Sequence, residues 1–165
     1  MDTLQSDVLQ VSEKKYDEII TPKVYLFVCS GNTCRSPMCE AVFNDKYANE
    51  SRFAISAGLY GDGSPISANA IAALEEFGIK SRPGNDYANH ISTTLNESMI
   101  KSADFIYGVT SSHAFSMIIK FPEYASKISS LPTEISDPFG GDVEDYKKCL
   151  EDIIASFDMM FGEKK

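Results

Sequence analysis

The chain has few of the residues that build metal sites or disulfide frameworks. It holds four cysteines, Cys29, Cys34, Cys39 and Cys149, and two histidines, His90 and His113. No cysteines form a Cys-x2-Cys pair, so the ligand spacing of a structural zinc site is missing and no metal or other cofactor is expected. Sparse, unpaired cysteines read as reduced thiols, which predicts a cytoplasmic protein. Long hydrophobic runs are also missing: none approaches the ~20 residues of a membrane span. The opening stretch, MDTLQSDVLQVSEKKYDEII, has no basic start and no continuous apolar core, so it does not read as a signal peptide and no membrane partner is expected. Positive charge is scarce, with 15 Lys and Arg against 24 Asp and Glu and a formal net charge of −9. The basic residues form no dense cluster, which argues against a nucleic-acid partner. Any attraction for a phosphate must then be local, not a property of the whole surface. No internal repeat or low-complexity segment occurs, and nothing in the sequence specifies an oligomeric state.

What the chain does have is concentrated in residues 24–36, Val-Tyr-Leu-Phe-Val-Cys-Ser-Gly-Asn-Thr-Cys-Arg-Ser. An apolar run, Val24 to Val28, ends abruptly at Cys29, and Ser36-Pro37 precedes a helix-like pattern. A strand–loop–helix junction of this kind suits an anion. Backbone N–H groups of the loop and first helical turn converge there, and the helix dipole adds partial positive charge. The same field favours a thiolate over a thiol at Cys29. Arg35 supplies a planar two-pronged donor that matches two phosphate oxygens. Gly31 permits close backbone approach, Asn32 tolerates the left-handed region, and Ser36 can hydrogen-bond the thiolate. Pro37 sits where the first turn of a helix tolerates it. Ser30, Gly31, Asn32, Thr33, Cys34, Arg35 and Ser36 are therefore the expected phosphate-binding residues. A thiolate and a phosphate clamp at one spot point to phosphoryl transfer through a cysteinyl-phosphate.

The rest of the chain alternates strand and helix patterns. Residues 24–28 read as a buried strand, 37–48 as a helix with one apolar face, and 52–56 as a second strand. Residues 58–65 carry loop signals throughout, and 67–77 show helical spacing closed by Gly78. After an irregular stretch over 80–93, a short helix over 94–101 is expected with Thr93 or Thr94 as cap. Residues 104–109 form a third strand, Ser111 or Ser112 caps a helix to about Lys120, and 127–130 give a fourth strand. A loop over 131–142 precedes a long helix over 143–161. Such alternation predicts an α/β fold: a single domain with a four-stranded parallel sheet, helices on both faces, and the phosphate-binding loop after the first strand. The domain is expected over 24–165. Residues 1–23 are an N-terminal extension: a short packed helix, a tail or an over-long start.

A covalent mechanism of this type needs a proton donor for the leaving group and later a base for water. Asp137 is the best candidate, in a loop stiffened by Pro138 and followed by Phe139-Gly140-Gly141. An ordinary Asx-Pro turn is the alternative reading of that segment alone. His113 reads as a surface or rim residue, His90 as a packed or solvated histidine that could buttress the site, and Asp62 as a solvated loop acid. Tyr60 could form a pocket wall.

The string Cys-x-Gly-Asn-x-Cys-Arg-Ser-Pro resembles the phosphate loop of the low-molecular-weight protein tyrosine phosphatase family. Ser56-Ala57-Gly58 and Asp137-Pro138-Phe139-Gly140-Gly141 extend the resemblance over about residues 24–161. The resemblance implies a hydrolase with a phosphocysteine intermediate, with Cys29, Arg35 and Asp137 catalytic. It also implies a phosphorylated protein as substrate partner. In the family the second loop cysteine can form a reversible disulfide with the nucleophile, so Cys29 and Cys34 are a candidate redox pair. A loop-packing role for Cys34 is the alternative. Tyrosine-directed members usually carry Ile or Leu where this chain has Thr33. Thr33 together with Asp-Pro-Phe-Gly-Gly is similar to the bacterial protein arginine phosphatase branch. Thr33, Phe139 and Tyr60 are therefore the expected selectivity residues. A hydroxyl at the rim suits a flat polar guanidinium; a branched aliphatic residue suits an aryl ring. Phosphoarginine is the preferred substrate on this reading and phosphotyrosine the alternative. A thiol-linked arsenate reductase would need further downstream cysteines, and a non-catalytic phosphate-binding module would not need Asp137.

Overall fold

The computed structural model describes residues 21–162. The expected extension therefore lies, for residues 1–20, outside the described residues. Four parallel strands form one sheet: β1 (Lys23–Cys29), β2 (Arg52–Gly58), β3 (Phe105–Gly108) and β4 (Ile128–Ser130), in the order β2-β1-β3-β4. The helices are α1 (Arg35–Lys46), α2 (Ala68–Glu76), α3 (Glu97–Ser102), α4 (Ser111–Lys120) and α5 (Val143–Phe161), with 3-10 turns at Tyr87–Asn89 and Pro122–Lys127. Among the described residues no helix is long and apolar enough to cross a membrane.

β1 shows why the sheet is covered twice. Side chains alternate faces along a strand. Tyr25 and Phe27 join the core beneath α1, α2 and α5, with Met38, Phe43, Leu74, Leu150, Ile153 and Phe157. Leu26 and Val28 join the opposite core, with Ile100 and Ile106 and with Met117 of α4. Both faces of β1 are therefore apolar, which is what produces the unbroken run from Val24 to Val28. α1 is buried over most of its first two turns, not on one face as its pattern predicts, because it is wedged against β1, β2 and α5.

Two helix starts differ from the sequence expectation. α3 begins after Asn96, whose side chain accepts from Met99 N, and not after Thr93 or Thr94. The two threonines have other duties: Thr94 Oγ1 donates to Gly61 O at 2.6 Å, and Thr93 N donates to Asn32 Oδ1 at 2.9 Å. α4 is capped by Thr110, not by Ser111 or Ser112, in a capping box that His113 completes.

The carboxyl ends of β1 and β2 run level, Cys29 opposite Gly58. A Cβ built on Gly58 would lie 2.7 Å from Ser30 O and 3.0 Å from Asn32 N, both backbone atoms of the loop. Hydrogen bonds close the same gap: Leu59 N to Cys29 O and Tyr60 N to Ser30 O, each 2.9 Å. Gly58, closing the Ser-Ala-Gly stretch, thus supplies a side-chain-free edge against which the Cys29 loop seats. Gly58→Ala should push the loop outward, costing about 1–3 kcal/mol of stability and most of the activity. Denaturant unfolding and turnover of an aryl phosphate would measure both; wild-type behaviour in each would contradict the packing described.

Candidate active site

The loop between β1 and α1 wraps around Cys29. Asn32 is the one non-glycine residue with positive φ among the described residues, at 58°, and is fully buried. Its neighbours pin it on every side. Its side-chain N–H groups donate to Ser36 Oγ at 2.8 Å and Ser56 Oγ at 3.0 Å, and its Oδ1 accepts from Thr93 N. Its backbone carbonyl accepts from His90 Nε2 at 3.0 Å. His90 therefore buttresses the loop. Ser56 Oγ–H in turn donates to Glu40 Oε1 at 2.8 Å, and burial raises the Glu40 carboxyl above its ordinary range. Ser67 N–H holds Thr33 O at 2.9 Å.

This scaffold places donors around the Cys29 sulfur. Ser36 Oγ lies 2.9 Å from Cys29 Sγ and Asn32 N 3.3 Å. Because Asn32 already donates to Ser36 Oγ, the serine proton is available to the sulfur, with Ala57 O at 3.3 Å as the competing acceptor. The Arg35 side chain is 8% exposed. Its Nη1 donates to Ile135 O at 3.0 Å and its Nη2 stands 3.5 Å from Asp137 Oδ2. The remaining N–H groups of the guanidinium are left for an anion. Asp137 is half-exposed, and its Oδ1 accepts from Phe139 N at 3.1 Å in an Asx turn.

A cavity of about 690 Å³ opens over this loop. Of the residues expected from sequence, Cys29, Ser30, Gly31, Asn32, Thr33, Cys34 and Arg35 form its floor, and Tyr60, Asp137 and Phe139 its walls. Ser36 lies beneath the floor, fully buried, in contact with the sulfur. Tyr60 and Phe139 are 78% and 77% exposed and stand as two free aromatic faces at the rim. All four cysteines are free thiols. Cys34 Sγ bonds Tyr146 Oη at 3.2 Å, and burial together with that bond pushes the tyrosine up to about 12.

Three contributors were not legible as such. The sequence assigns Tyr146 no site role, only a place in the helix over 143–161. Asn69 Nδ2 braces Gly141 O at 3.2 Å across the cavity mouth. His113, expected at the surface or rim, is 5% exposed and bonds Ser30 Oγ through Nε2 at 3.0 Å. Little in the sequence signals this, since His113 fills the capping-box position where Glu or Gln is usual.

The fold and the loop are those of a small cysteine-dependent phosphatase. Residues 24–163 match the family described as low molecular weight phosphotyrosine protein phosphatase. A protein-arginine-phosphatase of Geobacillus stearothermophilus is 33% identical over 147 residues, 84% of this chain and 94% of its own. The solved low molecular weight protein tyrosine phosphatase from T. tengcongensis is 35% identical, with a TM-score of 0.74 over 84% of this chain and 97% of that one. A YwlE arginine phosphatase structure, in which a phosphorylated serine replaces the active-site cysteine, is 29% identical with a TM-score of 0.74, over 83% and 92% of the two chains. This chain belongs to the low molecular weight phosphotyrosine protein phosphatase family.

Burial, and then the charge of Arg35, push the His113 imidazole from its ordinary 6.5 down to about 4, against the opposing pull of Asp137 and Glu134. Between those values the unfolded chain binds more protons than the folded one, so this group's contribution is complete above about 6.5 and lost as the pH falls towards 4. Denaturant midpoints measured from pH 7 to pH 4 should fall more steeply for wild type than for His113→Asn; parallel profiles would show that His113 charges freely in the folded protein.

Proposed function

We propose that this chain is a protein arginine phosphatase working through a cysteinyl-phosphate. Cys29 Sγ attacks the phosphorus in line with the leaving guanidinium nitrogen. The S–P bond forms as the P–N bond breaks, and the Asp137 carboxyl delivers a proton to the departing nitrogen. Water then attacks the phosphocysteine. Asp137, now a carboxylate, takes a proton from that water, and Cys29 leaves as a thiolate held by Ser36 Oγ–H and Asn32 N–H. Arg35 and the loop N–H groups bind the equatorial phosphoryl oxygens, where charge develops. The buried setting of the Arg35 guanidinium, 3.5 Å from Asp137 Oδ2, supports assigning clamp and acid to one reaction centre.

The choice of phosphoarginine rests on Thr33. Its hydroxyl stands at the cavity floor, 3.6 Å from Cys34 Sγ, where an aliphatic residue would suit an aryl ring. The similarity to protein-arginine-phosphatases supports the same choice. Phosphotyrosine is the second reading, favoured by the exposed faces of Tyr60 and Phe139 and by the tyrosine phosphatase from T. tengcongensis. Reduced cysteines accord with a cytoplasmic setting, and a phosphorylated protein is the partner. A peroxide would oxidise Cys29 to its sulfenic acid, and the Cys34 thiol, once released from Tyr146, would condense with it to a Cys29–Cys34 disulfide with loss of water.

Parallel hydrolysis of phosphoarginine and phosphotyrosine peptides tests the substrate. Wild type should prefer phosphoarginine, and Thr33→Ile should shift the ratio of kcat/KM values towards phosphotyrosine by about tenfold, equivalent to ~1.4 kcal/mol. A preference for phosphotyrosine that Thr33→Ile leaves unchanged would select the second reading. Asp137→Ala tests the acid: it should slow turnover by about 10²–10⁴, and less for esters with good leaving groups. Equal losses across leaving groups would make Asp137 structural.

A further inference from the structure

His113 lies outside the loop, on α4, and the reaction just described does not use it. Its two ring nitrogens have different neighbours. Nδ1 faces the backbone N–H of Thr110 at 3.1 Å and Thr110 Oγ1 at 2.9 Å. A backbone N–H can only donate, so Nδ1 must be the unprotonated, accepting nitrogen. Thr110 Oγ1 in turn accepts from His113 N at 3.3 Å, which leaves its own proton free to point at the same Nδ1. The ring proton is thereby assigned to Nε2, and Nε2 lies 3.0 Å from Ser30 Oγ. The imidazole donates; the serine oxygen accepts.

A hydroxyl has one proton. With an Oγ lone pair held by His113, the Ser30 proton must turn away from the ring, and Ser30 lines the cavity over Cys29. We propose that His113 is a positioning residue that fixes the Ser30 hydroxyl as an additional hydrogen-bond donor to the phosphoryl group. The inference rests on the phosphatase reading of the loop. It adds to that reading a side-chain donor on the first loop residue, oriented from a helix on the opposite face of the sheet. Adding a proton to Nδ1 would set it against the Thr110 N–H, so the cap of α4 and the neutral ring hold each other in place. The charged groups around His113 are Arg35 from α1, and Asp137 and Glu134 from the segment between β4 and α5. The positive charge of Arg35 opposes a second proton on the ring. A donor fixed in this way costs no reorganisation when charge develops on the phosphoryl oxygens.

The functions of cap and donor separate by substitution. In His113→Asn, Oδ1 replaces Nδ1 as the cap acceptor, but the side chain is too short to reach Ser30. In His113→Gln, one amide can either donate from Nε2 to Ser30 or accept with Oε1 from Thr110 N, the usual capping-box contact at this position, so cap and donor compete for it. The measurements are thermal midpoint, kcat and KM for 4-nitrophenyl phosphate and a phosphoarginine peptide, and inhibition by inorganic phosphate. Ser30→Ala and His113→Asn should each lower kcat/KM by about ten- to a hundredfold, the worth of one hydrogen bond to a charged group. Both should weaken inhibition by inorganic phosphate. The double variant should be no worse than Ser30→Ala, because the two residues act as one unit. His113→Gln should keep more of the activity than His113→Asn. Wild-type kinetics in His113→Asn, or losses that multiply in the double variant, would overturn the proposal. Wild-type protein that hydrolyses neither substrate would instead overturn the phosphatase reading itself.

Discussion

The site depends on one residue held in an uncommon backbone conformation. Asn32 sits at φ 58° with no solvent exposure. For a residue with a Cβ, the left-handed region costs roughly 1–2 kcal/mol. Four partners repay that cost: Ser36, Ser56, Thr93 and His90. They come from α1, β2 and the stretch before α3, so the loop's curvature is set by three separated parts of the chain. The strain is local and its compensation is spread through the fold. From this follow the inward turn of Asn32 N–H towards the sulfur and the position of Ser36 Oγ beneath it. A loop held only by its own residues would have to be ordered anew at each binding event. This one is already bent.

The sheet makes that arrangement possible. Ligands gather beyond the carboxyl ends of parallel strands, where helix N-termini converge. Here β1 and β2 end level, and Gly58 offers no side chain to the loop. On the other side Gly108 ends β3 opposite Val28, and Val109 N bonds Val28 O at 2.9 Å. The chain then turns into α4, which brings His113 under Ser30. Both neighbours of β1 thus end in glycine, and both contribute to seating the loop. The net charge of −9 does not oppose the proposed anion binding, because the donors around the loop act at short range. Fields from exposed carboxylates fade over about a Debye length.

The elements and the phosphate loop were legible because their signals are local. An apolar run ending at Cys29, helical spacing in 67–77 and the Asp137-Pro138 pair can each be read without knowing what packs on them. The capping errors have the opposite origin. Thr93 and Thr94 carry the right chemistry for a cap, but the loop and the Gly61 segment compete for them, and only the tertiary structure shows which wins. Ser111 and Ser112 were equally good by type. Thr110 prevails because His113 three residues on completes the box, and the burial of that histidine depends on the distant Ser30. Tyr146 was hidden for the same reason. An amphipathic helix predicts that it is buried, but not that its hydroxyl finds a sulfur 112 residues away.

The fold gives its four thiols different surroundings. Burial alone does not distinguish them, since all four are buried. Cys39 is pushed up by burial, by nearby Cys149 and by Cys29, while burial carries Cys149 up to about 12. Both are held as neutral thiols and serve as small apolar residues of the core under α1 and α5. Cys34 has the cavity beside it, but its sulfur is engaged by Tyr146. Cys29 alone has a backbone N–H and a serine hydroxyl within reach of sulfur, with the Arg35 guanidinium on the same cavity floor. On the proposed reading, what would separate the nucleophile from a packing residue is the direction of its neighbours' hydrogen atoms. That direction traces back to the bend at Asn32, which sends its own N–H to sulfur and, by donating to Ser36, leaves the serine proton free to follow.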